Sequence, residues 1–152
     1  MAATAPPLVW RVLDRVVAVV TALHVRLYRG TAGRLGHRLP GMPTILLLDH
    51  VGARSGRRRT TPLLYTAVDD DLVLIASKAG APRHPAWLHN LRAHPEVTVQ
   101  VRDEVHAVRA REAGPAERDR LWALAVRTYP TYDSYRARTD RQIPVVVLSP
   151  RG

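Results

Sequence analysis

Three separated stretches of the chain carry side chains that could do chemistry together. The first is Gly52-Ala53-Arg54-Ser55-Gly56-Arg57-Arg58-Arg59-Thr60-Thr61-Pro62, with four arginines in six residues. A guanidinium offers a planar fork of donors that matches phosphate or carboxylate. A glycine-hinged loop can also turn several backbone N–H groups toward one anion. The bland alternative is a solvated basic turn between two strands. The second stretch is Ala76-Ser77-Lys78-Ala79-Gly80, followed by Pro85-Ala86-Trp87-Leu88-His89-Asn90. The third holds Tyr129, Tyr132 and Tyr135, three of only five tyrosines in a chain with no phenylalanine. At spacings of three and three they would form a rib on one side of a helix. Core packing would explain the rib but would not need the hydroxyls. Aromatic walls with hydroxyl handles suit a planar ligand that needs stacking and a proton.

Several chemistries find no support. Cysteine is absent, which excludes disulfides, thiolate metal sites and thiol nucleophiles. The basic loop lacks the Gly-Lys-Ser/Thr ending of a nucleotide-hydrolysing loop, and no G-x-G-x-x-G follows a strand. His84, His89 and His94 lie five apart, which does not align them on one helical face, so no metal is expected. Ser77 has no nucleophile-elbow sequence around it, so a triad with His84 and Asp69 is not expected.

The formal net charge is +10, and it is uneven. Residues 1–60 hold ten arginines against two aspartates, whereas residues 61–152 hold thirteen cations against eleven acids. The N-terminal part should therefore face something anionic: a membrane surface, a nucleic acid or a polyanionic ligand.

The elements that must position these residues follow from periodicity. Residues 1–7 read as a frayed tail. Leu8 to Arg29 reads as a helix, with Arg11, Arg15, Ala18, Ala22, Arg26 and Arg29 on one stripe of a Val/Leu-rich body. Its longest uncharged run is too short to span a bilayer, so it suits an interface or a partner surface. Glycines and prolines from Gly30 to Pro43 make a linker, and the compact domain should run from 44 to 152, separate from an N-terminal segment 1–43. Strands are expected at 44–51, 62–68, 72–77, 97–102, 105–111 and 143–148. The 62–68 and 72–77 pair shows no clear alternation and should be buried on both faces. Helices are expected at 86–93, at 115–128 with Pro115 opening it, and over Tyr132 and Tyr135. Hairpin connections argue for about six mostly antiparallel strands with flanking helices, an α+β fold built on a split β-barrel.

Four of these motifs, in this order, resemble the deazaflavin (coenzyme F420)-dependent nitroreductase and quinone reductase family of actinobacteria. They are Gly-Ala-Arg-Ser-Gly-Arg at 52–57, Ala-Ser-Lys-Ala-Gly-Ala at 76–81, Pro-Ala-Trp-Leu-His-Asn at 85–90, and Tyr-Pro-Thr-Tyr-Asp-Ser-Tyr at 129–135 with Thr-Asp-Arg-Gln-Ile-Pro after it. The resemblance implies a split β-barrel that holds reduced F420 as hydride donor. It implies that Arg54, Ser55, Gly56, Arg57, Arg58, Arg59, Thr60 and Pro62 hold the cofactor's phosphate and oligoglutamate tail. Ala76, Ser77, Lys78, Ala79 and Gly80 would hold the deazaflavin end, with Pro85, Ala86, Trp87 and Asn90 closing the same groove. Ser77, Tyr129, Tyr132 and Tyr135 would act in catalysis, orienting and helping to protonate the acceptor. Leu48-Asp49-His50-Val51, Arg54 and Leu64 depart from the family's usual residues.

The function expected is therefore hydride transfer from reduced F420 to a menaquinone-like quinone, a nitro compound or another electron-poor acceptor. The alternatives are a basic module that binds anionic lipid or nucleic acid without catalysis, and a split barrel that uses FMN or another ligand. No nucleic-acid partner is expected, because basic and aromatic residues are not interleaved as a single-strand binder needs. The expected place is the cytoplasm, with residues 8–29 reaching the inner face of the membrane. A dimer is compatible with the sequence.

Overall fold

Seven strands form one antiparallel sheet in the order β2-β1-β5-β6-β7-β4-β3. Its edge strands, β2 (Arg58–Leu64) and β3 (Thr66–Val68), are consecutive in the chain and joined through Tyr65 alone. One residue cannot cross a flat seven-stranded sheet, so the sheet must curl until its edges meet. That is the split barrel. The other strands are β1 (Ile45–Val51), β4 (Asp71–Ile75), β5 (Glu96–Val101), β6 (Glu104–Glu112) and β7 (Val145–Pro150). Four helices accompany them among the described residues: α1 (Leu8–Gly30), α2 (Ala86–Ala93), α3 (Pro115–Thr128) and α4 (Thr131–Ala137). This computed structural model describes residues 8–152; the tail expected at 1–7 lies outside the described residues.

The continuous apolar runs are explained by layers on both sides of the barrel wall. Along β1, Leu46 and Leu48 point into the barrel, while Ile45 and Leu47 point out beneath α1. Along β7, Val146 and Leu148 point in, and Val145 and Val147 pack outward on Leu121, Trp122 and Ala125 of α3. Both faces are thus covered, and strict alternation has no reason to appear. Where the outer face meets solvent the alternation returns, as in Val97 and Val99 against Thr98 and Gln100. The interior is closed by Trp87, Leu88 and Leu91 of α2.

Two expectations are corrected. The basic stretch is not a loop as far as Pro62: the loop is 52–57, and Arg58 to Thr61 are already strand, paired from Val51↔Arg58 to Leu48↔Thr61. β2 is an edge strand, where long cationic side chains can lie toward water. For the same reason the second hairpin is not buried on both faces; β3 is half-exposed, and only Val73 to Ile75 of β4 are buried.

The last turns of α1 are anchored and the rest is not. Tyr28 is 0 % exposed; its hydroxyl donates to the Ile45 carbonyl (2.9 Å) and accepts from the Arg102 N–H (2.8 Å). Arg29 bridges Asp49, which also receives the Thr60 hydroxyl. Residues 11–20 are exposed on every side of the helix, including Val12, Leu13, Val16, Val17, Val19 and Val20. No helix among the described residues is long and apolar enough to cross a membrane.

Three histidines of the barrel have depressed pKa values. Burial is the main cause for each, reinforced by Arg102 at His37, Arg59 at His50 and Arg141 at His84. In the unfolded chain they take up protons near the ordinary value of about 6.5, and in the folded chain only at lower pH. The unfolded state therefore gains protons first as pH falls. Thermal melts should show stability nearly level above about pH 7 and falling below about pH 6.5. A melting temperature that rose on acidification through this range would contradict the assignment.

Candidate active site

The site is built around a turn that the backbone resists. After β4 the chain passes through Lys78 (φ 45°), Ala79 (φ 53°) and Gly80 (φ 77°), three successive residues in the left-handed region. Each non-glycine there costs about 1–2 kcal/mol, so surrounding contacts must hold the turn. One is α4: a Cβ on Gly80 would stand 2.6 Å from the Tyr135 carbonyl, so only glycine permits this approach. The other is Arg141. Its guanidinium donates to the Ser77 carbonyl (2.8 Å), the Ala76 carbonyl (3.3 Å) and the Ala81 carbonyl (2.8 Å). A fourth bond, of 3.0 Å, reaches His84 Nδ1, which can accept because His84 is kept neutral by burial and by Arg141 itself.

Against this turn stands the aromatic wall. Tyr129 terminates α3, and Tyr132 and Tyr135 follow on α4. The three rings meet edge to face, with centroids 5.1, 6.3 and 6.4 Å apart. Tyr132 is buried in the core behind the wall, and Tyr129 and Tyr135 are half-buried. Burial pushes the Tyr132 hydroxyl pKa well up. That of Tyr135 is raised by hydrogen bonding with Tyr129 and then by burial. Both phenols are thus held neutral. They are suited to donate a hydrogen bond to a negative oxygen rather than to give up the proton outright.

The third wall joins α2 to the basic hairpin. Buried Asn90 accepts the Ala53 N–H (2.8 Å) and donates to His50 Nδ1 (2.9 Å), and His50 Nε2 donates to the Thr61 hydroxyl (2.9 Å). One helical turn earlier on α2, Trp87 lines the same cleft as the tyrosines. The hairpin tip is therefore tied to the same helix that closes the cleft. Its backbone donors are largely spent within the fold: Gly52 on Arg57, Ala53 on Asn90, Gly56 on Gly52 and Arg57 on the Ser55 hydroxyl. Four of the six N–H groups at 52–57 are therefore turned inward, while the arginine side chains of the tip are exposed.

These walls enclose a cleft of about 230 Å³. It brings together Pro62, Ser77, Lys78, Ala79, Pro85, Trp87, Tyr129, Tyr132 and Tyr135 of the residues singled out from the sequence, along with Met42, Leu63 and Leu64. The others are placed differently. Arg54, Ser55, Gly56 and Arg57 form the exposed hairpin tip. Arg58, Arg59 and Thr60 line a separate cleft of about 470 Å³ beside Arg29 and Asp49, and the Thr60 hydroxyl is engaged by Asp49. Ala76 is buried in the barrel, Gly80 lies beneath α4, Ala86 points to solvent, and Asn90 is fully engaged in holding the hairpin. Sequence reasoning missed Arg141 and His50 as site-building residues. Arg141 lies in the Thr-Asp-Arg-Gln-Ile-Pro string, but its partners are backbone carbonyls, which no side-chain pattern displays.

Apolar and aromatic walls around a narrow cleft, with four guanidiniums on a hairpin tied to the helix that closes it, fit a planar ring carrying an anionic tail. Comparison with known proteins shows the family. The chain matches the F420H(2)-dependent quinone reductase family over residues 20–150. The chain belongs to that family. An F420H(2)-dependent quinone reductase of Mycobacterium tuberculosis is 44% identical over 145 residues, 93% of this chain and 97% of that protein. Among solved structures, an F420-H2 dependent reductase (FDR-A) is 42% identical with a TM-score of 0.64, covering 69% of this chain and 93% of that one. A second, described as a domain-swapped dimer, is 34% identical with a TM-score of 0.68, covering 95% of this chain and 100% of that one. The family implies an oxidoreductase whose hydride donor is reduced F420.

Proposed function

We propose that the cleft beneath the tyrosines is where this family member brings reduced F420 and a quinone together. The observation that carries this reading is the convergence of the Ser77 turn, Trp87 and all three tyrosines on one cleft. When bound there, reduced F420 supplies a hydride, that is, two electrons and one proton. Reduction of a quinone to its hydroquinone needs one further proton, which solvent provides, and until it arrives negative charge sits on a quinone oxygen.

The chain's own residues answer that charge and fix the geometry. We assign Tyr135, with its raised pKa, to donate a hydrogen bond to the nascent oxyanion, and Tyr129 to hold the Tyr135 hydroxyl in place. Tyr132 and Trp87 supply flat apolar surface and exclude water. Ser77, with its carbonyl committed to Arg141, is left to orient ring or acceptor through its side chain. Arg54 and Arg57 at the hairpin tip, with Arg59 on β2, are assigned to the anionic tail. Nitro compounds are further acceptors that the same oxyanion-stabilising wall could serve.

The test is spectroscopic. F420 added to the protein should perturb the deazaflavin absorbance, FMN should not compete at equal concentration, and reduced F420 should be oxidised only when a soluble quinone is added. Arg57→Gln with Arg59→Gln should weaken F420 binding by about tenfold at low salt and by less at high salt. Tight FMN binding, or an affinity indifferent to both arginines and salt, would overturn the assignment.

The helix α1 enters as a docking arm. Its exposed Val/Leu body and arginine stripe suit the anionic face of a membrane, where apolar quinones dissolve. The second reading is exchange of this helix between two copies, favoured by the solved relative that forms a domain-swapped dimer. Light scattering in the absence of lipid separates the two: a dimer supports exchange, and a monomer that sediments with vesicles supports the membrane.

A further inference from the structure

At the foot of α1, away from the tyrosine cleft, a larger cavity of about 590 Å³ opens between the segment after the helix and the β5–β6 turn. Arg34, Arg38 and Arg102 line it, with buried His37 and a single acid, Asp103. None of the three arginines takes part in the ion pairs found among the described residues. Three unpaired cations around one cavity repel each other, and an anion between them would relieve that repulsion.

The backbone around the cavity is built, not incidental. Ala32 (φ 51°), Gly33 (φ 72°) and Arg102 (φ 56°) are all left-handed. A Cβ on Gly33 would stand 2.4 Å from the Arg102 Cα, so the two segments touch main chain to main chain. The Arg102 N–H is fixed at 2.8 Å on the Tyr28 hydroxyl, which is itself held in the core. The cations are thus mounted on a pinned backbone. Near them in the chain lie exposed apolar side chains: Leu35 (55 %), Leu39 (37 %) and Val105 (65 %).

We propose that this cavity binds the phosphate of an anionic lipid headgroup, with Leu35, Leu39 and Val105 set against the acyl region. Phosphate matches the forked guanidinium donors, and the apolar surroundings favour a lipid over free phosphate. The proposal rests on α1 meeting a membrane, but it makes a separate claim: one built site, not diffuse charge, reads the headgroup.

The test is co-sedimentation of the full chain with vesicles of phosphatidylcholine alone or mixed with phosphatidylglycerol. The variants are Arg34→Gln with Arg38→Gln, Arg102→Gln, and a charge-matched control, Arg120→Gln with Arg127→Gln, on exposed positions of α3. Oxidation of reduced F420 by a soluble quinone, and the melting temperature, should be unchanged in all of them. Removal of two bulk charges near an anionic surface weakens binding by no more than about thirtyfold. The Arg34/Arg38 pair should weaken phosphatidylglycerol binding by about tenfold more than the control pair, because its contacts are direct and charge-assisted. Arg102→Gln alone should also exceed half of the control effect on a logarithmic scale. Equal losses in the site and control pairs would overturn the site and leave diffuse charge. Stabilisation of the wild type by millimolar inorganic phosphate, lost in the Arg34/Arg38 variant without any difference in vesicle binding, would overturn the lipid and assign free phosphate. A wild type that binds phosphatidylglycerol vesicles through Arg34 and Arg38 but does not oxidise reduced F420 with a soluble quinone would instead strike the active-site reading and leave this one standing.

Discussion

Arg141→Lys should cost about 2–3 kcal/mol of stability and lower quinone turnover on the order of 100-fold. The guanidinium satisfies three backbone carbonyls and His84 at once, in directions fixed by its planar fork. An ammonium is a point charge on a flexible stem and can reach only some of them. The carbonyls left behind belong to Ala76, Ser77 and Ala81, which bracket the left-handed turn lining the cleft. When their common donor is lost, Lys78 and Ala79 are free to leave an unfavourable conformation, and Ser77 moves with them. The effect should fall on turnover far more than on F420 affinity, because the arginines proposed for the cofactor tail lie on β2 and the hairpin tip. Arg141→Met, which keeps volume but no donor, should be worse still. If Arg141→Lys left turnover within about twofold of wild type while the turn stayed ordered, the clamp would not be needed for the site.

Gly80→Ala attacks the same turn from its other side, with an expected destabilisation of about 3 kcal/mol from a left-handed alanine and a core overlap combined. The added methyl would meet the Tyr135 carbonyl at 2.6 Å and the Arg138 Cβ at 2.9 Å, neither of which is a free side-chain end. To relieve that, α4 must move away from the turn, and Tyr135 moves with it. Turnover should fall at least about tenfold even at temperatures where the variant is fully folded. Gly30→Ala is the control: a Cβ there meets nothing within 4 Å. In a helix that substitution should be neutral or stabilising by up to about 1 kcal/mol. Denaturant melts and steady-state rates of the two variants side by side check the pair. Equal behaviour would show that the packing of turn on helix is not what shapes the cleft.

Much of this was legible in the residues. Pro115 marks the start of α3, Pro95 ends α2 and Tyr129-Pro130 divides α3 from α4, because proline and capping rules act locally. The tyrosines could be singled out as candidates because aromatic hydroxyls without phenylalanine are visible in composition, the Ser77 string through the family resemblance, and the fold brings both to one cleft. What was hidden depends on pairing. Arg58 to Thr61 look like loop until β1 is laid beside them, and the register turns Thr60 toward Asp49 and Arg59 toward His50. Tyr28 and His37 sat within a stretch set apart as helix and linker, yet Tyr28 is among the most buried side chains, because its partners are Ile45 and Arg102, 17 and 74 residues on. The role of Arg141 was hidden for the same reason: its acceptors lie about sixty residues earlier in the chain.

The central claim is that F420 is held by the hairpin and the tyrosine cleft together. Amide hydrogen exchange of the full chain with and without saturating F420 tests it directly. The account predicts slowed exchange in three separated segments at once: the hairpin tip around residues 53–60, the turn at 77–80, and residues 129–135. Protection confined to the hairpin and to β5 beside Arg29, with the turn and the tyrosines unchanged, would contradict it and put the cofactor on the other face of the sheet.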